Sequence, residues 1–260
     1  MSEPETTTVD VNGFSTRVWR KGRGPLLGFL AGFGGLPRWV TFLDRLAERR
    51  TVVVPSLPGF PGGGRGHSVL DNHLDWLLAT RQLLDAAGLD GADLAGSSVG
   101  TSLAAEMAAV WPKSVKRLAL VALFGLYDET DPPQDPWAQK PDVLAGLLTA
   151  DPDTWKALKA APEGADSVEW PIEQTRAAEA AARIFWPLGD TRLARRLPLV
   201  KAPALLLWGE QDRLMPSSYA RRFAERLGGP NETRVIPGAA HLAELDRPDE
   251  VARAVLDWLN

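Results

Sequence analysis

Residues 92–110 read ADLAGSSVGTSLAAEMAAV, and the class of fold can be inferred from this segment. It opens with a short apolar run of strand length and continues, from Thr101, as an alanine-rich helical segment. Between them GSSVG (96–100) matches the pattern G-x-S-x-G. A strand that turns directly into a helix leaves no room for side chains two residues before and after its apex. The context therefore predicts a tight turn that presents Ser98; the plainer alternative is a serine that only caps the helix.

Strands and helices alternate on both sides of this turn. The sequence predicts strands at Thr6–Val11, Phe14–Arg20, Pro25–Leu30, 51–55, 92–96, 115–124, 204–209 and 233–237. Helical patterns lie between the later strands, for example at His73–Ala87, where Leu74, Leu77, Leu78 and Leu84 predict the buried face. Such alternation predicts an α/β protein with a mostly parallel sheet covered by helices on both faces.

The alternation stops after Phe124 and resumes at Ala204. The intervening stretch shows no convincing strand pattern, but helical patches occur at Val143–Thr149 and Glu173–Phe185. A connection of that length is too long for an ordinary crossover. We therefore expect a helical cap of residues 126–198, inserted into a core formed by residues 1–125 and 199–260.

The composition of the 260 residues is that of an ordinary globular protein, with 45% hydrophobic and 24% charged residues. The net charge of −4 gives no electrostatic reason to expect a nucleic-acid partner or an anionic membrane surface. Cysteine is absent, which excludes disulfides, thiolate metal sites and cysteine nucleophiles. The polar, acidic first residues and the short apolar runs predict no signal peptide and no membrane span, so we expect a cytoplasmic location. The sequence does not predict the oligomeric state.

A serine hydroxyl needs a base, and the chain has only three histidines. His241 lies in PGAAHLAELDRP (237–248), directly after the last predicted strand, at the sheet edge where ligands of open α/β sheets bind. His67, in a glycine-rich loop, and His73, at the start of a helix, are predicted to be solvated or capping residues. We therefore predict His241 as the base.

The base in turn needs a carboxylate that fixes its tautomer. Asp212 lies in WGEQDRLMP (208–216), just after a predicted strand. The order Ser98, Asp212, His241 along the chain is the order of triads on G-x-S-x-G folds. Glu210 and Asp246 are the neighbouring acids, for which we expect solvated or capping roles.

The negative oxygen that forms during attack on a carbonyl needs N–H donors. The amide of Val99, next to Ser98, is predicted as one donor, and the amide of Phe33, in AGFGG (31–35), as the second. The alternative for AGFGG is that it is only a flexible turn.

Five segments together resemble the α/β-hydrolase superfamily, in its branch with a helical cap. These segments, in chain order, are LAGFGG (30–35), PSLPGFPGG (55–63), DLAGSSVGTSLAAEMA (93–108), WGEQDRLMP and PGAAHLAELDRP. The resemblance covers about 9–125 and 199–260, and the cap matches only loosely. It implies an eight-stranded core, the triad above and an oxyanion hole in which Phe33 follows Gly32.

The chain also departs from the pattern of the superfamily. Members usually carry His-Gly where Ala31-Gly32 stands, so a polar support of that loop is missing. Ser97 stands where a His often precedes the nucleophile, and Ser56 replaces the usual Asp after the fourth strand. Carbon–carbon hydrolases that share the cap usually follow the catalytic His with Trp, where this chain has Leu242. Because the nucleophile position holds Ser and not Asp, dehalogenase and epoxide-hydrolase chemistry is not expected.

The expected function is hydrolysis of a small-molecule carboxylic ester, lactone or thioester with an apolar portion, through an acyl-enzyme on Ser98. One alternative is a carbon–carbon bond hydrolase or cofactor-free lyase with the same triad, and another is a non-catalytic small-molecule binder. No ligand cluster or phosphate-binding loop is evident, so we expect neither a metal nor an organic cofactor. Four tryptophans fall in the cap and are predicted to line an apolar pocket or, alternatively, to hold the cap on the core: Trp137, Trp155, Trp170 and Trp186.

Overall fold

The computed structural model describes residues 3–185 and 191–260, which form one eight-stranded sheet with helices around it. The strands are β1 (Glu5–Val11), β2 (Phe14–Lys21), β3 (Leu26–Leu30), β4 (Thr51–Pro55), β5 (Ala92–Ser97), β6 (Val115–Val121), β7 (Ala204–Gly209) and β8 (Asn231–Ile236). Their order across the sheet is β1-β2-β4-β3-β5-β6-β7-β8. Strand β2 pairs antiparallel with β1 and β4, and all the other pairs are parallel. The predicted α/β class and mostly parallel sheet are confirmed.

The helices are α1 (Thr41–Ala47), α2 (His73–Ala86), α3 (Val99–Val110), α4 (Pro141–Leu148), α5 (Pro152–Lys159), α6 (Glu169–Phe185), α7 (Leu193–Arg196), α8 (Ser218–Ala224), α9 (Ala243–Asp246) and α10 (Pro248–Trp258). Helices α4 to α7 all fall between β6 and β7, and the described part of residues 126–198 contains no strand. The boundary between core and cap remains a prediction. Among the described residues, no helix is long and apolar enough to cross a membrane.

The middle of the sheet is apolar because helices cover both of its faces. Every residue of β5 and β7 is buried. Helix α3, which follows β5, is buried from Val99 to Ala109. Its alanines and small polar residues allow it to lie close to the sheet and to its neighbouring helices. The segment that carries Ser98 is therefore held on all sides.

The predicted buried face of α2 was wrong in part. Leu74 and Leu78 are 60% and 51% exposed, whereas Leu77 and Leu84 are buried as expected. The helix instead buries Trp76 and Leu83 completely. Burying the large Trp76 removes more apolar surface from water than burying either leucine, and this decides which face turns inward.

Candidate active site

Ser98 occupies the turn between β5 and α3 with a strained backbone, φ 47° and ψ −120°. Positive φ is rare for residues other than glycine and costs about 1–3 kcal/mol. The flanking glycines explain how the turn can be so tight. A Cβ on Gly96 would lie 3.0 Å from the backbone of Gly100, and a Cβ on Gly100 would lie 2.2 Å from the carbonyl oxygen of Leu30. Neither position tolerates a side chain.

Ser98, His241 and Asp212 form one continuous chain of hydrogen bonds. The distance from Ser98 Oγ to His241 Nε2 is 2.8 Å, and the distance from His241 Nδ1 to Asp212 Oδ2 is 2.9 Å. With Nδ1–H donating to the carboxylate, Nε2 is left to accept the hydroxyl proton of Ser98. Ser98 is only 1% exposed and His241 is fully buried. The structure thus brings the three residues of the predicted triad together in a site shielded from water.

Asp212 is held by the backbone that follows it. Its Oδ1 accepts hydrogen bonds from the amides of Leu214 and Met215, each at 2.9 Å. These two bonds fix the carboxylate in the loop after β7 and leave Oδ2 to face His241. The orientation of the imidazole therefore depends on a turn of only a few residues.

The two neighbouring acids bind backbone amides, as a capping role requires. Asp246 accepts from the amide of Ala240 at 2.8 Å and from that of Ala150 at 3.0 Å. Burial raises the pKa of Asp246. Glu210 accepts from the amide of Gly238 at 3.0 Å. Asp246 thereby links the loop of the predicted base to residue 150, between α4 and α5.

The other two histidines have their own acidic partners away from Ser98. His73 Nε2 lies 3.0 Å from Glu106 Oε1, and His67 Nε2 lies 3.6 Å from Glu179 Oε2. The expectation that His67 is solvated was wrong, because its ring is buried between the glycine-rich loop and α6. Burial lowers the pKa of His67. In the described ranges, no group of three or more His, Cys, Asp or Glu side chains could hold a metal ion.

The loop after β3 passes directly against the turn of Ser98. A Cβ on Gly32 would lie 2.9 Å from Ser97 Oγ and 3.1 Å from Leu242 Cδ2, so only glycine allows this approach. The amide of Phe33 follows immediately, and the amide of Val99 opens α3. Neither amide donates a hydrogen bond to another residue of the described ranges.

Aromatic rings from the segment between β6 and β7 cover this loop. The ring of Phe33 lies 5.7 Å from that of Trp137 and 6.3 Å from that of Trp155. Trp137 also lies 6.4 Å from Phe124, whose ring contacts that of His241 at 6.3 Å. Two of the four predicted tryptophans therefore touch rings around the site.

The other two tryptophans of this segment are Trp170 and Trp186. Trp170 is half-buried, and its Nε1 donates to the backbone carbonyl of Lys159 at 3.1 Å. Trp186 lies outside the described residues.

A sequence profile of the α/β hydrolase fold matches residues 25–248. The chain belongs to this family. It is 25% identical to a 2-hydroxy-6-oxo-2,4-heptadienoate hydrolase of Pseudomonas putida, covering 98% of this chain and 92% of the relative. It is also 28% identical to the dihydrolipoyllysine-residue acetyltransferase component of the acetoin cleaving system of Pseudomonas putida. That match covers 98% of this chain and 70% of the relative.

Solved structures of α/β hydrolases share the fold. The TM-score is 0.77 with the 2-hydroxy-6-oxo-6-phenylhexa-2,4-dienoate hydrolase of Rhodococcus sp. strain RHA1, which is 19% identical and covers 100% of this chain and 99% of that one. The TM-score is 0.78 with a bacterial membrane phospholipase A, which is 24% identical. That match covers 98% of this chain and 86% of the phospholipase chain. The relatives support a hydrolase, and their names cover a dienoate hydrolase and an acetyltransferase component, so they do not specify the substrate.

Two titratable residues near the candidate site were missed by sequence reasoning. Glu244, on α9, is buried; burial raises its pKa to about 7, although the Ser97 hydroxyl and the His241 ring oppose the shift. Burial likewise lowers the pKa of Lys159, at the end of α5, to about 7, although the Glu173 carboxylate opposes that shift. The small Ser97 next to the nucleophile was a signal that another group fills this space. Lys159 gave no signal, because the segment around it matches the family only loosely.

Proposed function

We propose that this protein is a serine hydrolase that cleaves a carboxylic ester, lactone or thioester with an apolar portion through an acyl-enzyme on Ser98. The observation that carries the proposal is the hydrogen-bond chain from Ser98 through His241 to Asp212. Such a chain turns a weakly nucleophilic hydroxyl into one that can attack a carbonyl.

In the proposed reaction, Ser98 Oγ attacks the carbonyl carbon and its proton moves to His241 Nε2. The carbonyl oxygen becomes negative and accepts hydrogen bonds from the amides of Phe33 and Val99. When the tetrahedral intermediate collapses, His241 gives the proton to the leaving alcohol or thiol. Water then attacks the acyl-enzyme with His241 again as base, and the carboxylic acid leaves as Ser98 regains its proton.

We further propose that residues 126–198 act as a cap over a core of residues 1–125 and 199–260. Contacts between the two parts support this proposal. The amide of Leu242, next to the proposed base, donates to the carbonyl of Leu148 at 2.7 Å. The rings of Trp137 and Trp155 lie against Phe33 of the proposed oxyanion hole, where an apolar part of the substrate would lie.

A carbon–carbon bond hydrolase is the second candidate. The similarity to the heptadienoate hydrolase over 98% of the chain favours it. Leu242 in place of Trp after His241 counts against it, because that Trp is usual in the carbon–carbon hydrolases that the sequence resembles. Both candidates use the same triad, so only products can separate them.

The nucleophile is tested with a fluorophosphonate probe and intact-mass analysis. We expect one adduct per chain, on the peptide that contains Ser98, and none in Ser98→Ala. An adduct on Ser97 or Ser102 would overturn the assignment, and no adduct on the wild-type protein would favour a non-catalytic binder.

The type of bond that is cleaved is tested by product analysis. The substrates are a series of esters of different chain length and a dienoate that carries a vinylogous 1,5-diketone. Turnover of the dienoate alone would replace the ester proposal by the second candidate.

A further inference from the structure

The side chain of Lys159 leaves the C-terminal end of α5 and reaches the loop that carries Phe33. Its Nζ donates to the carbonyl of Gly34 at 2.8 Å and to that of Gly35 at 3.2 Å. The same nitrogen lies 4.7 Å from the centre of the Trp155 ring, which itself contacts Phe33. One cation thus binds both residues that directly follow the proposed oxyanion donor.

The end of α5 is held in place on two further sides. The carbonyl of Lys159 accepts the indole N–H of Trp170 at 3.1 Å, and the carbonyl of Ala160 accepts a hydrogen bond from Arg38, which precedes α1. Lys159 therefore approaches the loop from a fixed base. Although burial lowers its pKa to about 7, the neutral amine keeps two N–H groups and the ammonium has three, so either form can serve both carbonyls.

The loop is buried, and Arg17 donates to the carbonyl of Leu36 at its end, but few hydrogen bonds hold Gly34 and Gly35 themselves. Gly34 and Gly35 both have positive φ, at 67° and 64°, and consecutive glycines carry a high conformational entropy when they are not tied down. One turn bond, from the amide of Gly35 to the carbonyl of Gly32 at 3.0 Å, lies within the loop. Ala31 offers no polar side chain at the position where the family usually has His.

We propose that Lys159 is a positioning residue of the oxyanion hole, which fixes the direction of the Phe33 amide by binding the carbonyls of Gly34 and Gly35. This inference rests on the proposed function, because it assumes that the Phe33 amide meets the oxyanion. A residue of the segment between β6 and β7 then supplies the polar support that the core loop lacks. Docking of that segment is thereby coupled to stabilisation of the transition state.

Lys159→Met keeps a similar chain length and removes every donor. We expect kcat for an ester substrate to fall about 10-fold while KM stays within about twofold. Deleting an oxyanion donor outright costs about 10²–10³, and a donor that is only misdirected costs less. The loss falls on kcat because the oxygen of the bound substrate is uncharged and becomes negative only as the reaction proceeds through the transition state to the tetrahedral intermediate.

Chemical rescue separates the amine from the packing of the side chain. The chain contains no cysteine, so Lys159→Cys introduces a single alkylation site. Reaction with 2-bromoethylamine rebuilds a lysine-length amine, and reaction with 1-bromopropane gives an uncharged side chain of the same length. We expect the amine product to regain most of the lost kcat and the propyl product to regain none. Equal rates for the two products would overturn the inference.

Two matched variants control for loosening of α5. Lys156→Met lies on the same helix, is 53% exposed and pairs only weakly with Asp142 and Asp153, so kcat is expected to stay unchanged. Arg38→Met removes a bond to the end of α5 without touching a loop carbonyl. If Arg38→Met lowers kcat as much as Lys159→Met does, general anchoring of α5 is the cause and the inference fails.

The phosphonate reaction distinguishes this failure from failure of the proposed function. Lys159→Met should still bind one phosphonate per chain, but more slowly than wild type. Equal labelling rates would refute the role of Lys159 and leave the nucleophile intact, whereas absence of labelling in the wild type would refute the proposed function itself.

Discussion

One carboxylate oxygen of Asp212 accepts from backbone amides and the other faces His241. Replacing one of these oxygens by an amide nitrogen therefore tests whether Asp212 orients the imidazole. Asp212→Asn should lower kcat by about 10⁴, because an amide group facing Nδ1 favours the wrong tautomer of the imidazole. The measurement is ester turnover, with circular dichroism to verify the fold. Asp246→Asn is the comparison, and its loss should be far smaller. If Asp212→Asn keeps near-wild-type turnover while Asp246→Asn loses it, the acid of the triad is Asp246.

At the residue scale, the sequence was most informative where chemistry and position coincide. Ser98 and Asp212 each follow a recognisable apolar strand, His241 follows the last predicted strand, and their order along the chain matches a known pattern. Lys159 and Glu244 carry no such pattern, because a charged residue in a helical segment looks solvated until the fold covers it. The same limit explains the wrong expectation for His67.

The rings of Trp137 and Trp155 contact the ring of Phe33, and Trp170 donates its indole N–H to the carbonyl of Lys159. Trp137→Ala and Trp155→Ala should each change the ratio of kcat/KM between short and long acyl esters, by about 10-fold or more per variant. Such a change corresponds to the difference of about 1–3 kcal/mol in transition-state binding that one methylene group makes in an apolar pocket. Trp170→Ala is the matched control and should keep the wild-type preference. If only Trp170→Ala alters the preference, or if none of the three does, the substrate contacts lie elsewhere.

At the scale of elements, strands were easier to predict than helices. The buried strands are continuous apolar runs bounded by glycine and proline, and each was placed within a few residues. β6 nevertheless ends at Val121, before the predicted end at Phe124, because Ala122 takes a positive φ of 50° and turns the chain away. Helix α5 was not singled out, since two short turns after Pro152 leave little periodicity to detect.

An ionic cluster around the buried Glu106 of α3 joins that helix to α2 and α7. Glu106 accepts two hydrogen bonds from Arg196, at 2.5 Å each, and lies 3.0 Å from His73. Burial alone would raise the pKa of Glu106, but His73 and Arg196 hold it below its usual value. Arg196 ends α7, so the cluster joins the segment between β6 and β7 to the helix that begins beside Ser98.

Glu106→Gln should therefore destabilise the fold at pH 7 by about 2–3 kcal/mol, somewhat below the loss for a fully buried pair because Arg196 is partly exposed. A carboxylate with a lowered pKa in the folded state contributes stability above its unfolded pKa, about 4.5, and loses that contribution as the pH falls through its folded pKa. The difference between variant and wild type should shrink accordingly in urea unfolding below about pH 4.5. Glu225→Gln, in the exposed pair with Arg221, should change stability by less than about 1 kcal/mol at either pH. A difference for Glu106→Gln that is constant with pH would show that its charge is not the cause.

At the scale of the whole molecule, the class of fold followed from the alternation of strands and helices, and the family from five short segments in order. The ionic cluster did not follow, because Glu106 and Arg196 are 90 residues apart and nothing local pairs them. Long-range pairing of charges is decided by how helices dock, which the sequence pattern does not specify.

The backbone strain at Ser98 has a consequence for how such a chain changes over generations. Glycine adopts a φ of 47° without the steric strain that serine bears, so exchanging Ser98 for glycine would stabilise a chain with no need of the hydroxyl wherever that relief exceeds the entropy glycine loses on folding. In a lineage that no longer used the hydroxyl, mutation under selection for stability alone would then tend to replace the serine. A serine at this position, against the preference of the fold, is therefore what we expect of a chain that uses its hydroxyl.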